Sequence, residues 1–201
     1  MKIIKIALFL LTIFTLSNCA SSYKSINPKS INYISKSETE NVKLEYKYNV
    51  LNKKYSKKEL NQKISIVAIK ITNNSEKDLL FGNNIKLIHE NGNEISIMNT
   101  DKVFKSLKQN SATNLLYLLL TPLKFNVSAT GSEPKSFPIG YVIGPGLAGG
   151  NMIISESANN KFKNEILEYK LNGTIIKKNE TKYGLIGINS NSFESIKLKI
   201  E

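Results

Sequence analysis

The sequence contains no arginine, although it has 28 basic residues among 201 and a formal net charge of +12. Strongly basic chains often bind nucleic acid or anionic lipid headgroups. Specific readers of phosphates and guanine edges rely on the planar guanidinium group, which lysine does not provide. Because the chain is also rich in asparagine and isoleucine, a coding bias explains the lysines, and we expect no nucleic-acid partner. Attraction to an anionic surface is the alternative.

Cysteine, histidine and aspartate are nearly absent. The one cysteine is Cys19, the one histidine is His89, and the two aspartates are Asp78 and Asp101. A single cysteine excludes an intramolecular disulfide and any zinc site built on paired cysteines. So few candidate ligands predict neither a metal site nor another cofactor.

The first 18 residues have the composition of an export signal. Lys2 and Lys5 give a positive start, and an uncharged run of 11 residues follows at positions 6–16. A helix needs about 20 apolar residues to span a bilayer, so this run is too short for a permanent span and fits a cleaved signal peptide. Removing residues 1–18 would lower the net charge to +10 (12 − 2).

The run ends in Leu16-Ser17-Asn18-Cys19, which resembles the lipobox of bacterial lipoproteins. In that pattern a leucine and two small residues precede the cysteine; Asn18 is larger than usual. The resemblance implies that Cys19 receives a diacylglyceryl group and becomes the acylated first residue. Two or three acyl chains, at about 0.8 kcal/mol per buried methylene, make a permanent bilayer anchor. Ala20 resembles the sorting pattern for the outer membrane in Gram-negative bacteria. The alternative is an ordinary signal peptide with a chance cysteine.

After the cysteine, residues 19–41 are rich in serine, asparagine and lysine, which predicts a flexible tether. From position 42 onward apolar residues alternate with polar ones, beginning with Val42, Leu44 and Tyr46. Such alternation is typical of half-buried strands. Residues 42–201 are therefore predicted to form one mainly β (α+β) domain.

Short strands recur at intervals of roughly ten residues, which favours an antiparallel sandwich. Further strands are predicted at 64–71, 85–88, 95–97, 174–176, 183–186 and 196–200, with a hairpin turn at Asn91-Gly92. Residues 67–75 resemble a core strand and turn of immunoglobulin-like domains in exported bacterial proteins. The C-terminal block resembles uncharacterised exported lipoproteins. One amphipathic helix is expected between Glu156 and Gly173, capped by Ser157.

Residues 109–155 form an apolar, partly helical insertion. They include only three charged residues, Lys124, Glu133 and Lys135, but four of the five prolines and six of the eleven glycines. One apolar run begins at Leu115 and ends at Leu120, and the other extends from Ile139 to Ile154. Such runs must be covered by protein or lipid. We expect packing against the chain's own sandwich; docking on an envelope protein or a second copy and shallow bilayer insertion are the alternatives.

The insertion contains one literal GxGxxG motif, from Gly144 to Gly149. A dinucleotide site needs a helix that begins at these glycines, so that its N-terminus faces the pyrophosphate. Because residues 152–154 look extended, we reject nucleotide binding. A tight turn with closely approaching backbones is the expected structure.

No residue set predicts catalysis. His89 has no serine or cysteine partner in a recognisable motif, and Glu165 and Glu168 are expected on a solvated helix face. We therefore expect a non-enzymatic, membrane-anchored lipoprotein with a binding or structural role in the cell envelope. One alternative is a subunit that docks on a membrane complex through the insertion. The other is a hydrolase, which would gather at least two of His89, Asp78, Asp101, Glu165 and Glu168 in one pocket.

Overall fold

The computed structural model describes residues 19–128, 130–131, 133–189 and 193–201. The predicted signal peptide lies outside the described residues. The described part is a mixed α+β structure with ten strands in antiparallel sheets and three α-helices. It divides into two compact units. We call residues 19–22 with 109–159 the insertion unit, and residues 23–108 with 160–201 the sheet unit.

The helices and strands have the following bounds. The α-helices are α1 (Lys53–Gln62), α2 (Thr100–Leu107) and α3 (Gly140–Glu168). Two 3₁₀ helices cover Pro28–Ser30 and Ser111–Leu120. The strands are β1 (Ser35–Thr39), β2 (Val42–Lys47), β3 (Ile64–Asn73), β4 (Leu79–Leu80), β5 (Ile85–His89), β6 (Phe125–Val127), β7 (Lys135–Phe137), β8 (Ile175–Ile176), β9 (Glu180–Asn189) and β10 (Ile196–Ile200).

The main sheet of the sheet unit has the strand order β1-β2-β3-β9, and every neighbouring pair is antiparallel. Its longest pairing joins β3 to β9, from Ile64 opposite Asn189 to Asn73 opposite Glu180. Val67 and Ile69 of β3 are fully buried because β-branched side chains pack well on a pleated surface.

One apolar core holds the strands together. It combines side chains of β2, β3 and β9 with side chains of β5 and β10, which pair with each other. Short strands β4 and β8 form a third antiparallel pair. The predicted antiparallel α+β class is thus confirmed, and the strands predicted at 64–71, 85–88, 174–176, 183–186 and 196–200 are present.

The predicted hairpin turn is confirmed, but its second strand is not. The His89 amide donates to the Asn93 carbonyl at 2.8 Å, and Gly92 adopts a φ of 84°, which favours glycine. Residues 95–97 form no strand, although the Ile95 amide donates to the Leu87 carbonyl at 2.8 Å and isolated bridges join Glu94 to Ile88 and Ile97 to Ile188. The strand that pairs with β5 along its length is β10.

The N-terminal segment differs from the predicted flexible tether. β1 pairs with β2 along its full length, and Ile26 and Pro28 are buried. The tether prediction is therefore wrong for residues 23–41. β1 is an edge strand with one paired neighbour, and backbone hydrogen bonds to that neighbour are enough to hold it. Its polar side chains therefore gave no strand signal in the sequence.

Helix α3 begins well before the helix predicted between Glu156 and Gly173. Residues 152–154, predicted as extended, are helical, and Ser157 lies inside the helix instead of capping it. Small buried residues at helical spacing, Gly144, Ala148 and Ser155, define the inner face of its first part. The large apolar residues between these positions do not lie on the inner face. The sequence therefore looked like an apolar run without a helical period.

Candidate functional site

Cys19, the predicted lipidation site, is exposed, and its Sγ lies 3.4 Å from the hydroxyl of Tyr117. Burial, assisted by this hydrogen bond, raises the pKa of Tyr117 to about 12. The phenol is therefore protonated at neutral pH and can donate to the sulfur. A thioether sulfur is also a weak acceptor, so the same contact is compatible with a lipidated cysteine.

The two residues after Cys19 are fastened to the insertion unit. The Ala20 amide donates to Asn151 Oδ1 at 2.7 Å. Ser21 pairs with Gln109 through two hydrogen bonds, because its amide donates to Oε1 at 3.0 Å and its carbonyl accepts from Nε2 at 2.7 Å. The predicted lipid site is thus held against this unit without an intervening spacer.

The interior of the insertion unit combines a small apolar cluster of Tyr117, Leu120 and Ala148 with buried polar side chains. Asn114, which is 2% exposed, donates through Nδ2 to Ser155 Oγ at 3.3 Å. Asn159 pairs with the backbone of Gln109, accepting from its amide at 2.7 Å and donating to its carbonyl at 2.9 Å. Each of these side-chain amides thus has a hydrogen-bond partner inside the unit, as buried polar groups usually do.

The exterior of the same unit carries many large apolar side chains. Its large apolar side chains exposed to solvent, which we call the exposed apolar surface, are Leu115, Leu116, Leu118, Leu119, Phe125, Val127, Phe137, Ile139, Tyr141, Val142, Ile143, Leu147, Ile153 and Ile154. Tyr117 and Leu120 are the inward-facing members of the first run. The expectation that the chain's own sandwich covers both runs is therefore wrong for these side chains.

The glycines of the GxGxxG motif lie inside α3. The rejection of a dinucleotide site relied on the expectation that no helix forms here, and that expectation is wrong. The motif still differs from the fingerprint, because its amides lie within the helix and not before the first turn. A Cβ on Gly144 would lie 2.8 Å from Thr121 Oγ1 and 3.1 Å from the Tyr117 carbonyl. The predicted close approach occurs, but in helix packing and not in a turn.

Glu165 lies in the sheet unit and is only 7% exposed, so its predicted solvated position is wrong. Its carboxylate accepts from the Tyr23 hydroxyl at 2.5 Å, from the Ser25 hydroxyl, and from the amides of Ile26 and Asn27 at 2.9 and 3.0 Å. Burial acts to raise the pKa of Glu165. The hydrogen bonds outweigh burial and hold this pKa below its usual value.

The hydrolase alternative required at least two acidic or histidine side chains in one pocket. Glu165 and Glu168 do line one concave region together with Tyr23 and Ser25. Glu168 is exposed there, as predicted. Both Glu165 oxygens already accept hydrogen bonds from the segment that begins at Tyr23, so this carboxylate is engaged in holding the chain.

The remaining candidates of the hydrolase alternative lie apart. His89 Nδ1 is 3.0 Å from Glu194 Oε2 at the end of β5. Asp78 accepts from the Lys178 amide at 2.9 Å, and Asp101 occupies the first turn of α2. Within the described ranges, no group of three or more histidine, cysteine, aspartate or glutamate side chains could hold a metal ion.

Glu59 is a buried carboxyl that sequence reasoning missed. Its Oε1 accepts from the Ile66 amide at 2.7 Å, and burial raises the pKa of Glu59 to about 7 against the opposing effect of this hydrogen bond. Perturbed carboxyls often mark functional sites. Here the group bridges α1 to the first residues of β3, which is a structural use. The polar composition of α1 gave no signal for its burial.

The sheet unit also contains a cavity of about 170 Å³ between β9, α2 and the end of α3. Its lining mixes apolar side chains such as Ile66 and Val103 with the polar Asn99, Lys170 and Asn172. Pockets for drug-sized ligands usually have volumes of about 300–1,000 Å³. This cavity is large enough only for a few waters or a very small molecule.

Comparisons with protein-family models, curated proteins and solved structures gave no match. Among the helices of the described residues, none has the length and apolarity required to cross a membrane.

Proposed function

We propose that this chain is a bacterial lipoprotein that is anchored to a membrane by lipid on Cys19 and serves as a non-enzymatic binding or structural component of the cell envelope. The observation that carries the proposal is the position of Cys19. It follows the apolar run within the lipobox-like Leu16-Ser17-Asn18-Cys19, and it is exposed on a unit that presents large apolar side chains. In a Gram-negative cell, Ala20 favours the outer membrane.

The contacts around Cys19 support an acylated N-terminus. Tyr117 can donate to the sulfur in its thiol or thioether form, and Asn151 and Gln109 hold the next two residues. Cys19 is an exposed residue, which leaves solvent-facing space beside it for lipid on the sulfur. A membrane anchor at this residue would therefore be compatible with the folded chain.

For the sheet unit we propose an immunoglobulin-like sandwich. The support is that strands β2, β3 and β9 share one apolar core with β5 and β10. Residues 67–75, whose sequence resembles a core strand and turn of that fold, lie within β3 and the turn after it. A sandwich of this kind commonly presents its loops for binding, which agrees with a non-enzymatic role.

The experiment compares wild type with Cys19→Ala, each expressed as the full chain with its leader. Wild type should be recovered in the membrane fraction, with an intact mass that starts at Cys19 and includes acyl chains. Cys19→Ala should lose the added mass and the part of the membrane partition that the acyl chains provide. Asn18→Gly, which restores the usual lipobox, is the matched control and should be acylated at least as completely as wild type. A soluble, unacylated wild-type product would overturn the proposal.

A second candidate function is docking on an envelope protein through residues 115–120 or 139–154. The exposure of Leu116, Leu119, Val142 and Ile153 favours it over a domain that acts alone, because exposed patches of this kind mark interaction sites. The vesicle experiments described next distinguish a protein partner from lipid.

A further inference from the structure

We infer that the insertion unit itself lies in the bilayer interface, with its exposed apolar surface immersed at the boundary between headgroups and acyl chains. The inference rests on the proposed lipid anchor and goes beyond it, because it assigns a second membrane contact made by protein side chains. Three observations on the insertion unit carry it: an inverted distribution of side chains, an anchor residue without a spacer, and the distribution of charge.

The inverted distribution is clearest on the first part of α3. Gly144, Ala148 and Ser155 face the protein, whereas Val142 and Ile153 are 77% and 72% exposed. A surface helix of a water-soluble protein has the opposite arrangement, with its large apolar side chains inward. Helices in lipid pack through small residues and direct large apolar side chains outward. The inner and outer faces of this helix therefore fit an apolar surrounding medium.

The anchor residue supports lipid as that medium. Cys19 lies 3.4 Å from Tyr117, whose neighbours in the chain, Leu116 and Leu118, are both exposed. Since hydrogen bonds from Asn151 and Gln109 hold the following residues, acyl chains on the sulfur leave directly from this unit. The bilayer that receives those chains is thus within reach of the exposed leucines.

The charges indicate shallow immersion. The insertion unit contains only four charged residues, Lys124, Glu133, Lys135 and Glu156, and all four are exposed. Lys124 precedes β6 and Lys135 begins β7, beside the exposed Phe125 and Phe137. Lysines beside apolar side chains can extend their charge to the headgroups while their methylenes remain in the apolar layer. Lysines at these positions therefore fit a contact at the interface.

The single cysteine makes immersion measurable. Cys19→Ser in the chain of residues 19–201 gives a cysteine-free and unacylated background, in which Leu119→Cys, Val142→Cys and Ile153→Cys each carry one spin label. Leu60→Cys and Ile34→Cys are matched controls in the sheet unit, because those side chains are 73% and 75% exposed. The labelled proteins are mixed with vesicles of phosphatidylethanolamine and phosphatidylglycerol. Collision with oxygen and with a water-soluble nickel chelate then reports depth.

Labels on the insertion unit should become accessible to oxygen and protected from the nickel chelate only when vesicles are present. The two control labels should remain accessible to the chelate. If all five labels stay accessible to the chelate, the inference is wrong. Protection of the insertion labels without vesicles, together with dimers in sedimentation, would identify a second copy as the covering surface and also overturn it. Protection that appears only after an envelope protein is added would also overturn the inference.

Substitutions give an independent test by vesicle flotation of the same Cys19→Ser chain. Val142→Lys and Ile153→Lys should each lower the partition coefficient by about tenfold or more, because each substitution removes a large apolar side chain from the lipid. Leu60→Lys should change it by less than about twofold. Circular dichroism verifies that the variants are folded. Equal effects of all three substitutions would contradict the inference.

The two proposals fail separately. Acylated wild-type protein whose insertion labels never enter vesicles would retain the anchor and exclude the second contact. Immersed labels together with an unacylated wild-type chain would support the second contact and exclude the anchor.

Discussion

The two units of this protein distribute their side chains in opposite ways. In the sheet unit the buried positions belong to large apolar residues, such as Val67, Ile69 and Leu87. In the insertion unit, buried positions of α3 belong to glycine, alanine, asparagine and serine, and most large apolar residues are exposed, although Tyr117 and Leu120 are buried. One explanation covers both units: each exposes the side chains that are compatible with the medium around it. The comparison agrees with the proposal that water surrounds the sheet unit and that lipid covers the exposed apolar surface.

Charged residues are also distributed differently between the two units. In the sheet unit, Glu45 is paired with Lys70 at 2.7 Å, with Lys43 and Lys36 nearby. The hydrogen bond from Lys70 is the main cause that lowers the pKa of Glu45. Residues 109–155 contain only three charged residues. A solvated surface requires such charges, whereas an apolar environment excludes most of them.

The strongest test places the same charge in both units. Ile69→Asp should lower the free energy of unfolding by about 5 kcal/mol or more, because it buries an unpaired carboxylate in the core. Leu118→Asp should change it by no more than about 0.5 kcal/mol, because Leu118 is 43% exposed. Urea unfolding of the Cys19→Ser chain, followed by circular dichroism, measures both. A large loss in Leu118→Asp would show that the insertion unit has an ordinary apolar core.

A second test concerns the buried carboxylate of the sheet unit. Glu165→Ala should lower the free energy of unfolding by about 3 kcal/mol, because it leaves the buried Ile26 amide and other donors without their acceptor. Glu168→Ala, on the same helix but exposed, should change it by less than about 0.5 kcal/mol.

The pH dependence provides a further check on Glu165. Since its pKa is lowered on folding, its contribution to stability is fully present above the unfolded value near 4.5 and is lost as the pH falls through the folded value. Wild type and Glu165→Ala should therefore converge in stability in acid. An equal difference between them at pH 7 and in acid would mean that the carboxylate contributes only by packing.

The smallest effect is expected for the polar interior of the insertion unit. Asn159→Leu should lower stability by about 2 kcal/mol, although it adds apolar surface, because the amide and carbonyl of Gln109 lose their partner. The exposed neighbour Asn160 provides the control, and Asn160→Leu should be nearly neutral. Thermal unfolding would distinguish them. A more stable Asn159→Leu variant would mean that this interior prefers apolar residues, as the sheet unit does.

Several elements were predictable because their signal is local. The alternation from Val42 and the β-branched run that becomes β3 predicted strands, and Asn91-Gly92 predicted the turn. Helices α1 and α2 were missed because each buries only two residues, which is too little periodicity to detect. β1 was missed because its backbone pairing, and not its composition, makes it a strand.

The candidate functional residues likewise differ in how well the sequence predicts them. Cys19 could be proposed from sequence because the lipobox is a contiguous pattern. The role of Glu165 could not, since its donors lie 138 to 142 residues earlier in the chain. The orientation of the leucines between positions 115 and 119 could not be predicted either. An apolar run has the same sequence whether its side chains face protein, lipid or water.

Under the proposed export, the hydrogen bonds that fasten residues 19–27 can form only late, because their partners lie far along the chain. Ala20 is joined to Asn151, and Tyr23 to Glu165, so these partners leave the ribosome more than 130 residues later. A chain threaded N-terminus first would therefore present Cys19 to a lipid-transferring enzyme while none of its native partners had arrived. Modification would precede folding, and the finished fold would close around an N-terminus already fixed to the membrane.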